Sequence, residues 1–147
     1  MRRTAWLVLI VAAAACDLVP RFGGAYHQDA PIAIGAAGNS SVKLVLGQYG
    51  PEVAGHLSFP DLATCPCLYV QGTTDGDTVT VEPQPTAGCA LVFKRAEFEL
   101  TSAGLRGRLK KLDESGADVV DMTDEFELKR DGEQSDLGAD DLKGCHE

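Results

Sequence analysis

Aromatic residues make up only 6% of this 147-residue chain, and it holds a single tryptophan, three histidines and two methionines. So few large side chains limit it to one modest hydrophobic core. Basic residues are also scarce, thirteen against 22 acidic, which argues against a polyanion as the general partner and against a nucleic-acid-binding surface. No apolar run reaches the roughly 20 residues that a membrane-spanning helix needs. Apolar residues at helical spacing are missing as well, and no stretch carries a recognisable nucleophile motif, haem-attachment spacing or calcium loop. Hydrophobic content of 44%, with sixteen glycines and seven prolines, describes a turn-rich globular chain and not a disordered one.

The longest apolar run is Ala5 to Ala15, behind Arg2 and Arg3. A basic start, a short apolar segment and small residues at its exit form a secretory signal, predicted here over residues 1–15. The run ends in "AAAC", Ala13 to Cys16, with Asp17 next. This resembles the lipobox of bacterial lipoproteins, with alanine at Ala13 where leucine is usual. The resemblance implies cleavage before Cys16, a thioether-linked lipid on its sulfur and a fatty acyl group on its new amino terminus. It places the protein in a bacterial cell envelope, held to a membrane through Cys16. Asp17 resembles a residue that sorts lipoproteins between membranes in some lineages, and it leaves the choice of membrane open. Cysteine counting is an independent argument: with Cys16 lipidated, Cys65, Cys67, Cys89 and Cys145 form an even set for an oxidising compartment.

Removing Arg2 and Arg3 leaves eleven basic against 22 acidic residues, a charge of −11. Anionic membranes repel such a chain, so lipid and not charge must anchor it. Residues 16–40 mix four glycines and two prolines with isolated apolar residues and show no sustained period. They read as the lipidated cysteine and a flexible tether, with "PIAIG", residues 31–35, as an alternative edge strand.

From Ser41 to Arg130 the pattern is that of an all-β domain. Val42, Leu44 and Leu46 alternate, "YGPE" supplies a turn, and Val53, Gly55, Leu57 and Phe59 alternate again. "CPCLYVQG", the Asp75-Gly76 hairpin signal and "TVTVEP" continue the series. A turn at Thr101 to Gly104 sets Leu100 opposite Leu105, Glu99 opposite Arg106, Phe98 opposite Gly107, Glu97 opposite Arg108 and Ala96 opposite Leu109. One face of that hairpin is apolar, and the other pairs opposite charges across Arg106, Arg108, Lys110 and Lys111. Phe126 and Leu128 mark a last strand. The expected fold is an antiparallel meander of seven or eight strands closed into a small barrel, with Gly55 and Gly107 at inward bends. The opening apolar-x-apolar strand, the G-x-L of the next and the final F-x-L-x-R resemble short meander barrels found in bacterial lipoproteins, similar in architecture to lipocalins.

Cys65 and Cys67 share a face of one strand, so each takes a different partner: Cys65 with Cys89 and Cys67 with Cys145, or the reverse. The acidic tail, residues 131–147, is thereby pinned to the domain. A zinc or copper site built from these cysteines and His146 is the rival, disfavoured by their spacing and by the oxidising compartment. His27 falls in the tether, His146 in the tail, and His56 on the outward face of its strand. No catalytic residue, metal site or cofactor is expected. The expected function is non-enzymatic binding in the envelope. Inhibition of a protease or lysozyme, and carriage of a small ligand in a hollow barrel, are the alternatives.

Overall fold

A computed structural model describes residues 22–131 and Cys145. The signal, Cys16 and most of the acidic tail, His146 included, lie outside the described residues. Nine strands follow one another: β1 Gly24–Ala33, β2 Asn39–Tyr49, β3 Glu52–Ser58, β4 Cys67–Asp75, β5 Thr78–Pro83, β6 Arg95–Leu100, β7 Gly104–Leu112, β8 Val119–Asp121 and β9 Phe126–Arg130. One 3-10 turn, Gly35–Ala37, joins β1 to β2. All pairings are antiparallel. Neighbours run consecutively from β1 to β7, β9 pairs with both β7 and β1, and eight strands thus close into a barrel with β8 as an extra strand on β7.

The alternating apolar positions explain the closure. Val42, Leu44, Leu46, Leu57, Val70, Val79, Val81, Phe98, Leu105, Leu109, Phe126 and Leu128 are all buried in one cluster. A slip of one residue anywhere would turn such a set outward, and that cost holds the register. The β6–β7 hairpin has the expected register at all five pairs from Ala96↔Leu109 to Leu100↔Leu105. Glycines sit where strands coil most tightly. A Cβ on Gly55 would lie 1.8 Å from the Val45 carbonyl oxygen, and one on Gly107 would lie 1.9 Å from that of Glu97. Gly72 and Gly104 are equally constrained, at 1.8 Å from Thr80 O and 2.0 Å from Leu128 O.

The main departure from the sequence expectation is at the start. The stretch read as tether supplies Phe22, which is buried, and then all of β1, which pairs with β2 from Gly24↔Leu46 to Ala33↔Asn39. The barrel therefore includes residues ahead of 41, Phe22 and Gly24–Ala33 among them, and "PIAIG" contributes only the end of a much longer strand. Its alternation is real, with Phe22, Gly24 and Tyr26 inward, but glycine at the middle position hides it. The second departure is β8. Asp113 accepts hydrogen bonds from Ser115 Oγ at 2.7 Å and Ala117 N at 3.2 Å, closing a turn that folds Val119–Asp121 back onto Lys110–Leu112. Between β8 and β9 the chain bulges, and Thr123 Oγ1 accepts from Leu109 N at 3.1 Å in place of a backbone carbonyl.

Candidate functional site

The barrel is weakest where its first and last strands meet. β1 and β9 share only two paired positions, Tyr26↔Arg130 and His27↔Lys129. Beyond His27 the β1 register shifts, and Pro31 inside that bulge has no N–H to donate and a fixed φ. β1 bends away, and the Gln28 side chain substitutes for backbone: its Oε1 accepts from Glu127 N at 3.1 Å while its Nε2 donates to Ala30 O at 3.3 Å. A cleft of about 530 Å³ opens there, lined by His27, Gln28, Asp29, Ala30, Glu125, Phe126, Glu127 and Lys129.

Three acids, Asp29, Glu125 and Glu127, line the cleft against one lysine, Lys129. Glu125 is engaged by Arg106 Nε at 3.6 Å and Arg108 Nη2 at 3.3 Å. Asp29 lies 3.8 Å from His27 Nε2, and Asp131 Oδ1 contacts His27 Nδ1 on the other side of the ring. A histidine held by a carboxylate has the make-up of an oriented base. The described residues lining the cleft offer a ligand charge and hydrogen bonds from Asp29, Glu125, Glu127, Lys129 and His27, and no Ser, Thr or Cys is among them. His27 thus belongs to the barrel seam and not to a tether. His56 lies on β3 between Ala54 and Ser58, on the outward set as expected, yet it is buried.

The cysteines pair as Cys65–Cys89, with Cα atoms 4.0 Å apart, and Cys67–Cys145, 5.4 Å apart. The first ties the β3–β4 loop to the β5–β6 loop, where Ala90 N also donates to Thr64 O at 2.7 Å. Beside this staple Val92 projects into solvent at 83% exposure, while Phe93 is buried beneath it. No metal-binding group of three or more acidic, histidine or cysteine side chains occurs among the described residues.

Arg106, Arg108 and Lys110 of the basic cluster on β7 each meet carboxylates. Arg106 meets Glu99 at 3.5 Å and Lys110 meets Glu97 at 3.7 Å. Arg108 was expected to pair with Glu97, which is opposite it in register, but instead it reaches Asp121 at 2.6 Å and Glu125 at 3.3 Å. Glu97 is taken by Arg95, 2.6 Å away on its own strand. The extra strand β8 delivers Asp121 to this face and the segment between β8 and β9 delivers Glu125, and nothing in the local sequence pattern announced either.

With this geometry in view, comparison with family models, curated proteins and solved structures finds no match. The molecule is defined by its architecture, an eight-stranded meander barrel with two disulfides and an acidic cleft at its seam.

Proposed function

We propose that this chain is an exported bacterial lipoprotein, anchored through lipid on Cys16, whose barrel is a non-enzymatic binding module for a protein partner in the cell envelope. The observation that carries this reading is the cysteine balance. Two disulfides take Cys65, Cys89, Cys67 and Cys145, and the fifth cysteine is the one that follows the apolar run and small residues of the signal. Two or three acyl chains on one residue anchor firmly, whereas a single chain binds only marginally. Intact-mass measurement of the membrane fraction, before and after reduction, tests it. The wild type is expected to begin at Cys16 with acyl mass added and to gain the mass of four hydrogen atoms on reduction, and Cys16→Ala is expected to leave the membrane. An unacylated chain, or four free thiols, would refute the reading.

Binding is best supported at the seam cleft, where Asp29 and Glu127 face solvent around a floor formed by buried Phe126. Such a site favours a basic, extended segment of the partner. The barrel interior favours carriage less, because Leu44, Leu57, Phe98, Leu109 and Phe126 converge there as a packed core. Charge reversal by Asp29→Lys with Glu127→Lys is expected to abolish capture of the envelope partner in a pull-down with the anchored protein.

One observation favours inhibition as a second reading. The segment Cys89 to Phe93 is braced by a disulfide, by the Ala90–Thr64 hydrogen bond and by buried Phe93, and it holds Val92 outward. A rigid apolar loop of this kind is suited to insertion in a hydrolase cleft. A panel of secreted proteases and lysozymes tests it: inhibition by the wild type and none by Val92→Asp supports insertion, and no inhibition across the panel removes it.

A further inference from the structure

We infer that the barrel end carrying the Tyr49–Glu52 turn rests against the membrane, with Tyr49 in the headgroup region; this builds on the lipidated Cys16 proposed above. Tyr49 is 88% exposed, in contrast to buried Tyr26. The turn that presents it is tied to the place where the chain enters the barrel by one side chain. Gln48 Oε1 accepts from Phe22 N at 2.7 Å, and Gln48 Nε2 donates to Gly50 O at 2.9 Å. Thr74 N donates to Pro51 O at 2.8 Å, fixing the turn to β4. Tyr49 is therefore presented from a rigid support beside Phe22.

Chain length brings this end to the bilayer. Cys16 precedes Phe22 by six residues, and six residues reach at most about 20 Å when fully extended. β2, eleven residues long, runs from this end to the other. Strands of that length tilted in a barrel place the two ends about 25 Å apart. The disulfide-braced loop with Val92 is at the far end, among the connections that follow β3 and β5, and so faces away from the anchor. A tyrosine carries an apolar ring and a hydroxyl, which suits the boundary between acyl chains and headgroups. Exposed Glu52, Asp75 and Asp77 share this end, so the surface it fits is zwitterionic and not anionic.

The sequence supplies a clean reporter. Its single tryptophan, Trp6, precedes Cys16 and would leave with the signal. Lipidated protein carrying Tyr49→Trp, or Val92→Trp as the far-end counterpart, is reconstituted in phosphatidylcholine vesicles with and without brominated chains, and its mass is checked for acylation. Emission from Tyr49→Trp is expected to shift to the blue and to be strongly quenched by the brominated lipid, with Val92→Trp unaffected. Acylated protein with an unquenched Tyr49→Trp, or with quenching at Val92→Trp instead, overturns this orientation and leaves the anchor standing. A chain without acyl mass overturns the anchor itself and this inference with it.

Discussion

Arg130 Nη2 donates a hydrogen bond to Tyr26 Oη at 2.8 Å, and the guanidinium carbon sits 5.2 Å from the centre of the same ring. The two residues come from the last and first strands of the barrel, and they meet where only two backbone positions pair. Tyr26 Oη in turn donates to Phe22 O at 2.7 Å, so one hydroxyl joins both ends of the domain.

Tyr26→Phe removes both bonds and leaves the Phe22 carbonyl without that donor. A loss of about 1–3 kcal/mol is expected, read as a lower midpoint in urea unfolding. Burial pushes the Tyr26 phenol above its ordinary value of 10.0, against the opposing pull of Arg130. The unfolded chain ionises first, so this contribution is complete below pH 10 and is lost as pH rises through the folded value. Tyr26→Phe is expected to flatten that alkaline decline.

Asp121 accepts from Lys110 Nζ at 2.9 Å and Arg108 Nη1 at 2.6 Å, and these bonds, the lysine's first, hold its carboxyl below the usual 3.8. A lowered value means that the stabilising charge is present above pH 3.8 and disappears as acid protonates the folded form below it. Asp121→Asn should therefore unfold more easily at pH 6 and differ less from the wild type at pH 2. Raising salt at pH 6 should shrink the difference too, because the pairs are exposed.

Gly55→Ala and Gly107→Ala would each drive a methyl group into a backbone carbonyl at under 2 Å. Strands on either side must separate to admit it, so destabilisation above about 3 kcal/mol is expected, measured by thermal unfolding. Gly50 makes the contrast: nothing lies within 4 Å of its Cβ position, and only its φ of +57° opposes alanine. Gly50→Ala should cost about 1 kcal/mol.

The disulfides close spans of 24 and 78 residues. On chain-entropy grounds the shorter contributes about 3.5 kcal/mol and the longer about 4.5. Replacing Cys67 and Cys145 together by alanine is expected to lower the unfolding midpoint more than replacing Cys65 and Cys89, unless the buried position of Cys65 adds a cavity penalty. Measuring both pairs with and without reductant separates the two effects, since reduction opens the bridge and leaves the sulfur atoms in place.

Much of this barrel is legible from residue order because its strands are consecutive and their periods short. Ala96 to Leu109 shows its register through turn length, an apolar face and opposite charges placed across it. β1 is legible only at its end, as the edge strand "PIAIG", for a local reason: Gly24 and Pro31 replace the branched residues that mark strands, and Tyr26 and Ile32 lie on either side of the bulge. The seam cleft escaped for a non-local one. Gln28 and Glu127 are 99 positions apart, and the hydrogen bond between them exists only because closure brings the barrel's first and last strands together.

Residue order alone specifies the all-β character, the inward faces and the β6–β7 register, since alternation and turn chemistry act within a few residues, and it shows the even set of four cysteines by count. Closure of the barrel sets the pairing of Gly24–Ala33 with both β2 and β9, where Arg108 finds its carboxylates and where the barrel parts to form a cleft. Those outcomes depend on which strand lies beside which once a twisted sheet has curled round to meet its own first edge.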